Sequence, residues 1–335
     1  MNEEELKIFQ ENLLKHRDDL IKFIETDAPH RDLNLKGAAI KDVLKVVNEV
    51  KTALEKIDNH TFGQCTLCEG EVETERLHQD FTTRVCLGHY TEEEITNLER
   101  DLELSAKLQR QLLPCCSPCL KNLQFAHFIK PAGIVGGDFY DFFTLPRNRQ
   151  GVVIADVMGK GLPASMLLAN IQASLQTLGP EYENLSLLAS KLNNLFRYNT
   201  TLIRFISLCL VSIDVELNRI EYCNAGHHPP LFWNSREKKA QWLKPTGPAI
   251  GLTHNANYNT GTIDTMDNDL LIMYTDGIVE ARNDEGVEFG EELLLEYVRT
   301  NCHQTAQDFL NGLYKAAEDF AGKFQDDIAL MVIKF

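Results

Sequence analysis

The sequence predicts an α+β fold preceded by a separate helical segment, and three observations carry that reading. Apolar residues recur at helical spacing through the first sixty residues and again between 91 and 113. From residue 123 onward short apolar, strand-like runs dominate. Within that region two helix-like runs follow one another directly (162–177 and 185–199) before a series of strands joined by short turns, an order of stacked layers rather than of β-α-β alternation. The 335 residues and 44% hydrophobic content suffice for two or three units with real cores.

Taken in order, residues 3–24 place Leu6, Phe9, Leu13, Leu20 and Phe23 on one helical seam. A polar breaker carrying Pro29 follows, and then Ile40, Val43, Val47, Val50, Leu54 and Ile57 repeat the pattern. Two amphipathic helices around a short breaker predict an antiparallel hairpin over 1–60. A dimerising coiled coil is the plainer reading of the same seam. Residues 61–90 are too polar to build a core alone, but they hold Cys65-x2-Cys68 and, 17 residues later, Cys86-x2-His89. Each pair can present two ligands to one tetrahedral ion, so Cys65, Cys68, Cys86 and His89 predict a small zinc finger with one structural Zn²⁺.

Thr91 and Glu94 then form a capping box. Ile95, Leu98, Leu102, Leu108 and Leu112 stripe a linker helix over 91–113, which Pro114 stops. Such a stripe serves as a dimer contact, a signal lever or a plain spacer. Cys115, Cys116 and Cys119 read as free thiols in a loop. The remaining domain, 114–335, has strand-like runs at 125–129, 151–157, 205–215, 219–223, 229–233, 269–274 and 328–334. Further helix-like runs lie at 291–299 and 305–321.

Bulk properties exclude several classes. A net charge of −16 argues against direct nucleic-acid binding. No apolar run approaches the roughly 18 residues that cross a bilayer. The charged N-terminus cannot act as a secretory signal, so the chain reads as cytoplasmic. Nine scattered cysteines, an odd number, argue against a disulfide framework.

Four acidic clusters carry the chemistry: Gly-Gly-Asp-Phe-Tyr-Asp (136–141), Ala-Asp-Val-Met-Gly-Lys-Gly (155–161), Tyr-Thr-Asp-Gly (274–277) and Gln-Asp-Asp-Ile (325–328). Each sets an Asp at the end of, or just beyond, a strand-like run. Carboxylates are hard oxygen ligands, and several converging from distant strands hold Mg²⁺ or Mn²⁺. Convergence would make the chain a metal-dependent phosphoryl hydrolase, in which two ions activate a water and neutralise phosphoryl oxygens. No Ser or Cys nucleophile motif and no Gly-x4-Gly-Lys-Ser/Thr loop is present. A lone Asp-Gly is usually a turn; four clusters in this setting are not.

Residues 109–335 resemble the SpoIIE/RsbU-type bacterial serine phosphatases of the metal-dependent type 2C superfamily. The resemblance rests on Gln109-Arg-Gln-Leu-Leu-Pro114, Lys130-Pro-Ala, Val135-Gly-Gly-Asp-Phe-Tyr-Asp141, Ala155-Asp-Val-Met-Gly-Lys-Gly-Leu-Pro-Ala164, Asn224-Ala-Gly-His-His-Pro-Pro-Leu231, Gly247-Pro-Ala-Ile-Gly-Leu252, Tyr274-Thr-Asp-Gly-Ile-Val-Glu-Ala281 and Asp326-Asp-Ile, in the family's order. It implies a two-sheet β-sandwich flanked by helices, with two Mn²⁺ or Mg²⁺ ions in the cleft. It further implies that Asp138, Asp156, Asp276 and Asp326 act in catalysis through metal-bound water. Asp156 would bridge both ions, and the Val157 backbone carbonyl would serve one. Asp138 would complete the second ion, and Asp276 and Asp326 the first, with Asp327 able to take or share the last place. Ala329 stands where the family usually has Thr or Ser. The implied substrate is a phosphoserine or phosphothreonine protein, such as an anti-sigma-factor antagonist. A pseudophosphatase scaffold is disfavoured, because every expected acid is present.

Residues 1–90 resemble the DksA/TraR group, on Phe62-Gly-Gln-Cys-Thr-Leu-Cys68 and Arg84-Val-Cys86, with His89 where that group usually has Cys. This resemblance implies an alternative, a transcription regulator binding RNA polymerase through a hairpin whose turn carries Asp27 and Asp32. A homodimer through 1–113 is a further candidate partner. His227 and His228 are read as structural, without a catalytic part.

Overall fold

The computed structural model describes residues 6–7, 9–10, 13–14, 17–18, 21, 36–120, 123–159, 161–199, 205–253 and 256–335. Pro29, Asp27 and Asp32 of the expected hairpin turn lie outside the described residues. The chain divides into two compact units: Met1–Glu103 with Arg197–Ile203, and Leu104–Phe196 with Arg204–Phe335.

In the first unit the described residues among 6–21 are helical. Phe9 and Leu13 are buried with Val47, Val50, Ala53, Leu54 and Ile57, which the 3/4 spacing sets on one face of α1 (Lys36–Asp58). Gln10 Nε2 donates to Asp58 Oδ1 at 3.2 Å, tying the helical ends. A short α2 (Thr74–Gln79) adds Leu77 to a small core with Cys65 and Val72. The long α3 (Glu92–Leu112) opens on the expected capping box, with Thr91 N–H donating to Glu94 Oε2 at 2.8 Å and Glu94 N–H to Thr91 Oγ1 at 3.2 Å. The Thr91 N–H, and the Thr91 hydroxyl that donates to the same Oε2 at 2.9 Å, hold the Glu94 carboxyl below its usual range.

The second unit is a sandwich of two five-stranded sheets whose neighbouring strands all pair antiparallel. One sheet runs β1 (Gln124–Lys130), β10 (Ile328–Lys334), β9 (Leu270–Tyr274), β6 (Leu231–Asn234), β7 (Lys239–Trp242). The other runs β2 (Asp138–Leu145), β3 (Arg149–Val157), β4 (Ile206–Asp214), β5 (Arg219–Ala225), β8 (Gly261–Asp264). Alternation along each strand explains the layers. Val152 and Ile154 of β3 meet Met273, Ala329, Met331 and Ile333 in the core between the sheets. Val153, Ala155 and Val157 face outward onto α4 (Leu162–Leu178) and α5 (Leu185–Asn199). Ile328, Leu330 and Val332 of β10 face α7 (Gly290–Asn301) and α8 (Ala306–Ala321) on the opposite side. Both faces of the central strands are covered, so their sequences are unbroken apolar runs.

Three strands differ from expectation. β2 carries Asp138 and Asp141 among aromatics, and β7 and β8 are short and mostly polar, so none shows a clean period. As a result Asp138 opens a strand instead of ending one. Among the described residues, no helix is long and apolar enough to cross a membrane.

Candidate metal centres

Antiparallel pairing brings the acidic clusters to one end of the sandwich. Asp138, first in β2, lies directly opposite Asp156 near the end of β3, and Asp156 lies opposite Ser207 on β4. In the other sheet, β9 ends at Tyr274 and a one-turn helix, α6 (Asp276–Val279), begins two residues later. Asp326 and Asp327 immediately precede β10. Thr275 joins the two sheets: its N–H donates to the Ala329 carbonyl at 3.0 Å, its Oγ1 accepts from Ala329 N–H at 2.8 Å, and its hydroxyl donates to Asp138 Oδ2 at 2.5 Å. Ala329 thus contributes through its backbone, and the hydroxyl the family usually carries there has no part in these bonds. Thr275 was not singled out from the sequence; its signal was the Thr ahead of Asp276-Gly277.

Asp327 is buried, and both its oxygens hold backbone. Oδ1 accepts from Ala132 N–H and Oδ2 from Gly137 N–H, each at 2.6 Å. Asp326 is half-buried, and its Oδ1 accepts from Asp327 N–H at 2.8 Å. Two glycines permit the close approach. A methyl on Gly277 would lie 2.0 Å from the Asp327 carbonyl oxygen, and one on Gly137 would lie 3.0 Å from the carbonyl oxygens of both Val157 and Gly159.

The electrostatics are those of acids crowded together. Burial first, then the Asp156 charge, hold the Asp138 carboxyl well above its usual range; Asp327 and Asp276 add to this, and the Thr275 hydroxyl opposes it. Burial, then Asp326 and Glu280, raise Asp276 to about 6. Several carboxylates that each resist the others' ionisation are relieved by a cation. The donors are carboxylate and carbonyl oxygens, and that set fits Mg²⁺ or Mn²⁺. The carboxylate oxygens of Asp138, Asp156, Asp276 and Asp326 do not all lie within 4.8 Å of one another. Among the described residues, ligand atoms within 4.8 Å of one another occur in two groups, Cys65/Cys68/Cys86/His89 and His228/Asp276/Glu280.

The first group is the expected zinc set. Cys68 Sγ and Cys86 Sγ lie 3.7 Å apart, close to the tetrahedral edge of about 3.8 Å implied by Zn–S bonds of about 2.3 Å. Burial opposes ionisation of Cys65, yet backbone N–H groups of Cys86 and Leu67 aimed at its sulfur, at 3.4 and 3.5 Å, bring the thiol down to about 6. The donors fit Zn²⁺.

The second group was not anticipated. His228 Nε2 stands 3.9 Å from Glu280 Oε1 beside Asp276, a neighbourhood that sequence spacing does not reveal. His227 is buried, with Nδ1 2.9 Å from Ser207 Oγ, and burial followed by the neighbouring His228 lowers its imidazole to about 3, so it is neutral.

The fold is that of the type 2C protein serine/threonine phosphatases. The sequence model of the family described as "Stage II sporulation protein E (SpoIIE)" matches residues 146–335, more than half of the chain. The chain belongs to the SpoIIE family. It is similar to "Phosphoserine phosphatase RsbU" of Bacillus subtilis (strain 168), 23% identical over 266 residues that cover 76% of this chain and 78% of that protein. Its fold is similar to the SiaA-PP2C domain of Pseudomonas aeruginosa, with a TM-score of 0.64 at 18% identity over 72% of this chain and 98% of that one. It is also similar to RsbX solved in complex with magnesium, with a TM-score of 0.51 at 14% identity over 65% of this chain and 97% of that one.

Proposed function

We propose that the protein removes phosphate from phosphoserine or phosphothreonine on a regulatory protein, such as an anti-sigma-factor antagonist, under control of its N-terminal module. The observation that carries this reading is the Asp138–Asp156 pair facing Asp276 and Asp326 at one end of the sandwich. In this reading Asp138, Asp156, Asp276, Asp326 and the Val157 backbone carbonyl would hold two Mn²⁺ or Mg²⁺ ions. Bound there, the ions supply an activated water and neutralise the phosphoryl oxygens. Asp327, with both oxygens engaged by backbone N–H groups, acts as the positioner of the Gly136–Gly137 loop, which favours Asp326 over Asp327 as the ligand. Thr275 orients Asp138. RsbU's description as a phosphoserine phosphatase supports the substrate class.

The N-terminal module, with a structural Zn²⁺ on Cys65, Cys68, Cys86 and His89, senses a signal or forms a homodimer through 1–113, and acts in the cytoplasm. α3 bears four exposed leucines, Leu98, Leu104, Leu108 and Leu112, which supports the dimer. A second reading, RNA polymerase binding by this module, rests on the resemblance of residues 1–90 to the DksA/TraR group. It predicts polymerase co-purification that is lost on substituting Asp27 and Asp32.

The test of the main reading is hydrolysis of p-nitrophenyl phosphate by purified protein, with Mn²⁺ added or chelated. Mn²⁺-dependent turnover that Asp156→Asn abolishes is the expected result. Turnover that survives chelation would exclude the mechanism.

A further inference from the structure

The last turn of α3 is fastened to the loop that leads into the acidic cleft. Gln109 gives its whole side-chain amide to one residue: Oε1 accepts from Gly136 N–H at 3.1 Å, and Nε2 donates to the Gly136 carbonyl at 2.8 Å. A side chain here reproduces the reciprocal pairing that one strand residue offers another. The next residue, Gly137, donates its N–H to Asp327 at 2.6 Å and accepts Val157 N–H on its carbonyl at 3.0 Å. The residue after that is Asp138. The far side of the loop is closed, since a Cβ on Gly136 would meet the Asp327 carboxylate at 3.0 Å and Pro131 at 3.1 Å. A second tie lies one turn along: Gln172 of α4 donates to the carbonyl of Leu112, the last residue of α3, and to Asp141 Oδ2 of β2 at 3.2 Å.

We infer that Gln109 is a positioning residue for the metal centre, and that a pull on α3 reaches Asp138, Val157 and Asp327 through Gly136 and Gly137. The inference rests on the assignment of Asp138 and Asp156 as metal ligands. Burial alone does not call for this arrangement. Gln109 reaches a backbone pair 27 residues away, one residue from the acids' own hydrogen bonds, and satisfies both groups of that pair. Groups that orient metal ligands from behind tune affinity by roughly 10- to 100-fold. Loss of the pair therefore weakens ion binding more than it slows turnover at saturation.

The experiment titrates Mn²⁺ into the full-length protein and reads free Mn²⁺ by electron paramagnetic resonance, beside turnover and the unfolding midpoint in chelator. Gln109→Met keeps the length and loses both bonds. Gln109→Glu keeps the acceptor and sets an oxygen against the Gly136 carbonyl. The expected result is a dissociation constant raised roughly tenfold in Gln109→Met, with kcat at saturating Mn²⁺ nearly unchanged and Gln109→Glu weakened in the same direction. If Gln109→Met does not fold, Gln109→Glu decides by the same measure. A variant that lowers only the unfolding midpoint and binds Mn²⁺ as the parent does overturns the inference and leaves the phosphatase reading standing. A parent that binds Mn²⁺ but hydrolyses no phosphoester, with Gln109→Met binding tenfold more weakly, upholds the positioning role and sinks the phosphatase reading.

Discussion

Asp276 shows how a single carboxyl reports on the site. Burial, then Asp326 and Glu280, raise it to about 6 in the folded chain, against a free value of about 4. The folded state therefore holds this proton more tightly than the unfolded state. Its contribution to stability is full below about pH 4 and is lost as pH rises through about 6. In chelator, Asp276→Asn should match the parent's thermal midpoint near pH 4 and exceed it at pH 7; a difference independent of pH would contradict this. Asp327 makes the complementary prediction. Asp327→Asn turns one acceptor into a donor facing a backbone N–H, at a cost of about 1–3 kcal/mol. Urea unfolding should show that loss. The aspartates proposed as metal ligands stand out in the sequence because each lies near glycine or another Asp at the end of, or just beyond, a strand-like run. Thr275 and Gln109 were not assigned roles, because a hydroxyl or amide that acts across 137 or 27 residues leaves no local pattern.

At the scale of elements, the junction of α6 with β10 is the tightest point. A methyl at Gly277 would sit 2.0 Å from the Asp327 carbonyl oxygen, so Gly277→Ala must separate Asp276 from Asp326. Overpacking of this kind costs typically 1–3 kcal/mol, and Mn²⁺-dependent turnover should vanish before the fold is lost. Normal turnover in that variant would refute the proposed pairing of ligands. The central strands were legible because two-sided burial makes them continuous apolar runs, as in Ile328–Lys334. β2, β7 and β8 were missed because aromatics mixed with acids, or four-residue edge segments, carry no period. Their pairing is decided by neighbours distant in sequence, as when Gly261–Asp264 pairs with β5.

At the scale of the whole molecule, α3 runs unbroken from the segment that carries Cys65, Cys68, Cys86 and His89 into the phosphatase domain. Deleting residues 1–90 should change turnover several-fold in either direction; an unchanged rate would remove the regulatory role. The phosphatase chemistry is tested most directly by phosphate release from a phosphoserine peptide by the 335-residue chain, with Mn²⁺ present and after chelation, beside Asp156→Asn. Release that requires Mn²⁺ and disappears in the variant is the expected result. Release by Asp156→Asn equal to that of the parent would contradict it.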